Sequence, residues 1–342
     1  MKMPPAIELR SPLSALGCIL LFFSWGPALF CADGPKSVHA EATPAATGAT
    51  KALTSLAADP ASSEKKPEVT PLSLPGSEPF VFRKVGETEL RLHVVKPAGW
   101  SKEDQRPCLV SFFGGGWTSG TPERSIGWAK WAAGKGLLGV APDYRTRNRF
   151  GGSPEDCASD GRAAMRWIQD HAGDLGIDPK RIICLGSSSG GHVAAWTAIP
   201  GPGPGKEGPA PSLLPAALVL LNPVTDTKAS GYGGPKRFGK DAARALGCSV
   251  PDQMPARMPP AIVFHATGDT TVHYTNSVAF RNKLTSSGNR CELVTFEGLG
   301  HSFNSSKYGE AGKAADMKTH EDVATFLASL RLIEEATPII SK

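Results

Sequence analysis

Six near-continuous apolar runs recur through the chain, at residues 108–113, 137–141, 182–185, 217–221, 261–264 and 293–296. Each is too short for a core helix, and none alternates apolar with polar residues as a half-exposed strand does. Strands of this kind are buried on both faces. The stretches between them carry helical patterns, at 126–133, 277–284 and about 321–332. Another follows Ser153-Pro154, a serine N-cap with proline at the first helical position. The expected fold class is α/β, with a mostly parallel central sheet of about eight strands and helices on both faces. Residues 80–82 and 90–95 flank Gly86-Glu87, so a hairpin supplies an antiparallel edge. In such sheets ligands bind beyond the carboxyl ends of the strands, and the chemistry is expected just after each apolar run.

The N-terminal part reads differently. Lys2 and Arg10 precede an apolar run at 15–23 that continues, broken by Ser24, Gly26 and Pro27, to about Phe30. That is the layout of a secretory signal peptide over 1–32, and too short and interrupted for a membrane span. Val38-His39-Ala40 and Ala32 are the two candidate cleavage positions; Phe30 fits badly before Ala32, and is too large for lipoprotein processing at Cys31. Residues 33–75 are rich in Ala, Thr, Ser and Pro and read as a linker. The catalytic domain is then 76–335, with a tail at 336–342. A secreted or periplasmic protein with no stable membrane span after processing is expected. Its oligomeric state is not readable. A net charge of +5 over 342 residues, without a concentrated basic face, excludes a nucleic-acid footprint.

After the 182–185 run comes Gly186-Ser187-Ser188-Ser189-Gly190-Gly191, which matches G-x-S-x-G with Ser188 at its centre. A strand turning sharply into a helix strains the central residue, and neighbouring side chains would clash, hence the glycines. Gly114-Gly115-Gly116-Trp117 follows the first run, and consecutive glycines let backbone N–H groups converge on one oxyanion. Asp269 follows the 261–264 run and His301 the 293–296 run. A serine attacking a carbonyl needs an imidazole to take its proton and a carboxylate to orient that imidazole. The order Ser188, Asp269, His301 is the third of the known chain orders for this chemistry.

With these residues the chain resembles the α/β-hydrolase esterases of the hormone-sensitive-lipase-like and acetyl- and feruloyl-esterase-like (BD-FAE-like) group, over about residues 79–332. Phe113-Gly114-Gly115-Gly116-Trp117 is similar to that group's HGGGW. Pro142-Asp143-Tyr144-Arg145, Arg166-Trp167-Ile168, the segment 176–182 and the Gly-Asp-x-x-Val around Asp269 add to the likeness. The resemblance implies Ser188 as nucleophile, Asp269 as acid and His301 as base. It also implies an oxyanion hole from the N–H groups of Gly115, Gly116 and Ser189. Phe113 departs from the group's histidine, so the loop's support must differ. The activity implied is an exported carboxylic ester hydrolase acting on a small-molecule or polysaccharide-linked ester with a short acyl group, such as acetyl or feruloyl, and needing no cofactor or metal. A prolyl-oligopeptidase-like peptidase and a non-catalytic hydrolase-fold binding protein are the rival readings.

Other features are expected to be bland. Asp143 and Arg145 tie a strand end to its loop, Asp226 is a rival acid, and His273 is a surface residue. Gly203–Gly208 matches GxGxxG without a strand before it and is a loop; His320-Glu321 begins HExxH but meets Ala324. Seven cysteines without CxxC spacing exclude a disulfide scaffold. Cys108 and Cys184 pack as small hydrophobes, and Cys248 with Cys291 is the pair open to a disulfide.

Overall fold

The computed structural model describes residues 69–204 and 211–334. The expected signal peptide, most of the linker, the latter part of the GxGxxG match and the tail lie outside those residues.

Strands β1 (Glu78–Val85), β2 (Thr88–Val95), β3 (Arg106–Phe112), β4 (Leu138–Pro142), β5 (Ile177–Ser187), β6 (Ala217–Leu221), β7 (Ala261–Ala266) and β8 (Cys291–Phe296) form one sheet. Its order is β1-β2-β4-β3-β5-β6-β7-β8. β1 and β2 form the antiparallel hairpin and β2 runs antiparallel to β4; the remaining pairs are parallel. Between them lie α1 (Ile126–Gly134), the single turn α2 (Arg147–Phe150), α3 (Pro154–Asp170), the single turn α4 (Ala172–Leu175) and α5 (Ser189–Trp196). α6 (Ala242–Cys248), the single turn α7 (Val250–Gln253), α8 (Tyr274–Ser286) and α9 (Gly309–Ser329) follow.

The two-residue period of a strand divides the apolar runs between two cores. Val110, Phe112, Cys184, Leu218, Leu220 and Val263 face one side, where Ala164 and Ile168 of α3, Val193 of α5 and Phe280 of α8 meet them. Leu109, Ile183, Leu185, Val219, Ile262 and Phe264 face the other, against Ala132 of α1 and Val323, Phe326 and Leu327 of α9. Runs apolar at every position are what a sheet covered on both faces requires.

α3 starts as the sequence predicts. Ser153 accepts from the Asp156 N–H while the Asp156 carboxylate accepts from the Ser153 N–H, and Pro154 opens the helix. α9 begins earlier than expected, at Gly309, because residues 309–320 keep a helical backbone without an apolar stripe. β5 likewise extends back to Ile177, through Asp178 and Pro179.

Asp143 and Arg145 have the tying role expected. Arg149 of α2 pairs with Asp143 at 2.5 Å, both side chains buried. Arg145 reaches both oxygens of Asp160 in α3, at 2.9 and 3.0 Å. Arg149 also donates to the Thr70 hydroxyl at 3.0 Å, and Leu74 is buried, so residues ahead of β1 pack on the domain.

Register brings the chemistry together. Phe112 pairs with Gly186, Ser187 with Leu221, Leu221 with Phe264, and Ala266 with Phe296. The strands therefore end level, and the segments after them meet at one edge of the sheet.

Candidate active site

Ser188 joins β5 to α5 with φ 55° and ψ −122°. Non-glycine residues rarely adopt that backbone. Neighbours hold it there: the Ser188 N–H donates to the Leu221 carbonyl at 2.9 Å, and the Ser188 carbonyl accepts from the Gly191 and Val224 N–H groups. The flanking glycines are a matter of space. A Cβ on Gly186 would lie 2.1 Å from the Gly190 carbonyl oxygen, and one on Gly190 would lie 2.3 Å from the carbonyl oxygens of Phe112 and Phe113. Those obstacles are backbone and cannot rotate away. Gly186→Ala is expected to lose about 3 kcal/mol or more of stability, read as a drop in urea midpoint, because the strained turn must shift to admit one methyl group.

The three sequence-predicted side chains are hydrogen-bonded in series. His301 Nε2 lies 3.0 Å from Ser188 Oγ, and His301 Nδ1 lies 2.7 Å from Asp269 Oδ2. Burial acts to raise the Asp269 carboxyl. Hydrogen bonds from His265, His301 and the Val272 N–H outweigh it and hold the group well below the usual carboxylate range. Asp269 is therefore an anion beside the imidazole at every pH where the protein would work.

The glycine loop lies against the serine. A Cβ on Gly114 would be 3.2 Å from Ser188 Cβ. Gly115 and Gly116 take φ values of 148° and 62°, and the Gly115 carbonyl turns away to accept the N–H groups of Thr118 and Ser119. The N–H groups of Gly115, Gly116 and Ser189 have no acceptor among the described residues.

Phe113 supports this loop by stacking in place of a histidine's polar contacts. Its ring lies 4.0 Å from that of Tyr144, 8° from parallel. The Tyr144 hydroxyl donates to the Phe113 carbonyl, and the Arg149 guanidinium sits 5.7 Å from the Phe113 ring. From the segment after β6, Arg237 donates to the Thr118 hydroxyl at 2.8 Å and to the Tyr232 hydroxyl at 3.0 Å. A cavity of about 520 Å³ opens over Ser188, walled by Trp128, Tyr232, Thr271 and Asn304.

Two neighbours of the site carry no motif in the sequence. Asn222, at φ 40° after β6, places its amide nitrogen 3.2 and 3.1 Å from the two ring nitrogens of His301. Near-equal distances to both nitrogens put the amide over the ring face. His265, buried in β7, places Nε2 3.0 Å from Asp269 Oδ2. An asparagine directly after the apolar run at 217–221 was the available signal for the first; a histidine at the end of the run at 261–264 was the signal for the second.

The other candidates stand apart. Asp226 accepts from the Lys228 N–H and the Ser230 hydroxyl, both at 2.8 Å, and organises its own turn. His273 is exposed at the start of α8. Cys248 and Cys291, the pair left open to a disulfide, are unpaired: Cys248 packs with Phe238 and Ala245, and Cys291 belongs to the core beneath α8. Among the described residues no cluster of metal-ligating side chains occurs, and no helix is long and apolar enough to cross a membrane.

One further imidazole sets an acid limit on the fold. His192 of α5 is fully buried, edge-on to Trp117, with Nε2 2.9 Å from the Cys248 carbonyl. Burial lowers it to about 4, opposed by that carbonyl. An unfolded histidine protonates near 6.5. The folded state therefore binds the proton later, and stability present above pH 6.5 is lost as pH falls toward 4. The expected loss is about 3 kcal/mol, read as a smaller pH dependence of Tm in His192→Gln than in the parent.

Comparison with known proteins supports the same reading. The BD-FAE family matches residues 92–202, and the prolyl oligopeptidase family matches residues 225–326. An AB hydrolase superfamily protein of Schizosaccharomyces pombe is 32% identical over 145 residues, 40% of this chain and 39% of its own. Carboxylesterase NlhH of Mycobacterium tuberculosis is 35% identical over 100 residues, 28% of this chain and 30% of its own. The chain spans less than half the length of these curated relatives. A solved esterase of the planctomycete Thermogutta terrifontis, in its propionate-bound form, superposes with a TM-score of 0.70 at 34% identity, over 77% of this chain and 97% of that one. Its paraoxon-phosphorylated form gives a TM-score of 0.68 at 35% identity, with the same coverage of both chains. Identity of this order over nearly the whole of a solved esterase means that the chain belongs to the α/β-hydrolase esterases.

Proposed function

We propose that this protein hydrolyses carboxylic esters of short acyl groups through an acyl-enzyme on Ser188. One observation carries the reading: His301 bridges Ser188 and Asp269 with hydrogen bonds of 3.0 and 2.7 Å. Ser188 Oγ attacks the ester carbonyl as its proton passes to His301 Nε2. Asp269 stabilises the imidazolium through the Nδ1 proton. The tetrahedral oxyanion takes hydrogen bonds from the N–H groups of Gly115, Gly116 and Ser189, at the positive end of α5. His301 then returns the proton to the departing alkoxide oxygen. Water clears the acyl group by the same steps reversed, and the acid and Ser188 are released.

The pocket supports the substrate class proposed. Its volume of about 520 Å³ suits a small acyl group, and the Thermogutta esterase has been solved with propionate and with butyrate. Side chains of Ser119, Ser302 and Asn304 at the wall suit a hydroxyl-rich alcohol, which supports acetyl or feruloyl esters of polysaccharides. The basic, then apolar, N-terminal 32 residues support export to a secreted or periplasmic location.

A second reading, a serine peptidase, has the prolyl-oligopeptidase match over 225–326 in its favour. Parallel assays separate them: turnover of p-nitrophenyl acetate without turnover of a chromogenic dipeptide amide supports the esterase, and the reverse overturns it. A fluorophosphonate that labels the parent but not Ser188→Ala supports the nucleophile and counts against a binding protein without turnover.

A further inference from the structure

Asp269 does not serve His301 alone. Its Oδ1 accepts the N–H groups of Thr271 and Val272, at 2.8 and 2.9 Å. Its Oδ2 accepts from His301 Nδ1 at 2.7 Å and also from His265 Nε2 at 3.0 Å. His265 Nε2 lies 2.9 Å from the Val272 carbonyl as well. Both groups facing this nitrogen are acceptors, so it carries the proton. The other ring nitrogen, Nδ1, lies 2.7 Å from the hydroxyl of Ser277 in α8. That hydroxyl has no second partner among the described residues, so it donates to Nδ1 and fixes the tautomer.

We propose that His265 is a positioning residue of the triad, a second imidazole that holds Asp269 Oδ2 in line with His301 Nδ1. The proposal rests on the catalytic reading of Ser188, Asp269 and His301 given above.

The two backbone N–H groups on Oδ1 restrain rotation about the Cβ–Cγ bond within the angular tolerance of a hydrogen bond, and a donor on Oδ2 narrows that range where it matters to His301. His301 cannot be the anchor for Oδ2, because its ring receives and returns a proton in each half-reaction and its other side faces the pocket. His265 has no such duty. It is fully buried, its ring meets Tyr274 edge-on at 5.8 Å, and the Tyr274 hydroxyl lies 2.8 Å from Thr295 Oγ1 of β8. Its single N–H spans the acid and the Val272 carbonyl, so it closes the 269–272 turn from the side opposite the backbone N–H groups.

The test compares His265→Leu with His265→Gln, whose amide N–H falls near the position of the Nε2 proton. His265→Leu is expected to lower kcat on p-nitrophenyl acetate about 100-fold with KM changed less than about 2-fold, since misplacement of a catalytic group acts on the chemical step. His265→Gln is expected to recover kcat to within about 5-fold of the parent, the worth of one imperfect hydrogen bond. With isotope-labelled histidines, proton NMR of the parent is expected to show two slowly exchanging imidazole N–H signals bound to a carboxylate, and His265→Gln only one. A folded His265→Leu with parental kcat overturns the proposal, as does a folded His265→Gln as impaired as the leucine variant. Should His265→Leu fail to fold, the NMR comparison decides, and a single such signal in the parent overturns it. Fluorophosphonate labelling of the parent is run beside these. Absence of labelling at Ser188 removes the esterase reading, while the two N–H signals still report whether His265 holds the acid.

Discussion

Replacing Ser188 with alanine is expected to cut kcat on p-nitrophenyl acetate by about 10⁴ to 10⁶, with residual turnover from the oxyanion-binding N–H groups alone. The size follows from how the site is built. Among the described residues, Ser188 Oγ is the hydroxyl hydrogen-bonded to His301 Nε2, at 3.0 Å. The alanine variant keeps the backbone bonds to Leu221, Gly191 and Val224, so its circular dichroism and urea midpoint are expected to match the parent. Retained turnover in a variant that is folded by those measures would remove Ser188 from the mechanism. Loss of turnover together with loss of fold would leave the question to the His301→Ala variant, which spares the elbow.

Asp269→Asn should be nearly as severe, with kcat down by about 10⁴. Four donors converge on this side chain: the N–H groups of Thr271 and Val272 on one oxygen, His301 and His265 on the other. An asparagine has one acceptor oxygen. If that oxygen serves the backbone pair, the amide NH₂ confronts two imidazole N–H groups, and His301 must switch tautomer to give up its proton on that side. The nitrogen facing Ser188 would then carry a proton and could not act as the base. The same mismatch leaves buried donors unpaired, so a stability loss of about 1–3 kcal/mol is expected alongside. Kinetics with a parental urea midpoint would show that the four-donor arrangement contributes nothing to the fold.

The parts of the molecule that could be read in the sequence share a physical cause. A strand covered on both faces must be largely apolar, so β3 to β7 announced themselves, while β8, at the sheet's edge, showed only its 293–296 run; the residues following Phe113, Leu185, Phe264 and Phe296 could be named before the fold was known. Ser153 and Pro154 marked the start of α3 because capping is a local matter. The early turns of α9 escaped because residues 310–318 mix charged residues with alanine and glycine and carry no apolar stripe. His265 and Asn222 escaped for another reason. Their importance lies in which strand ends beside which, and that is a consequence of register across β6, β7 and β8 rather than of any local pattern. Phe113 shows the converse case: its departure from the family's histidine was visible, but the Tyr144 ring that compensates is 31 residues away in the chain.

The cysteines have a consequence of their own. All five among the described residues are buried and unpaired, and burial pushes Cys184 and Cys291 up to about 12 and the other three upward as well. Only a thiolate reacts readily with alkylating reagents, so the five cysteines of the described residues present them with almost nothing. Uptake of such a reagent then proceeds no faster than the molecule opens, which makes the sulfur atoms a built-in stopwatch for unfolding.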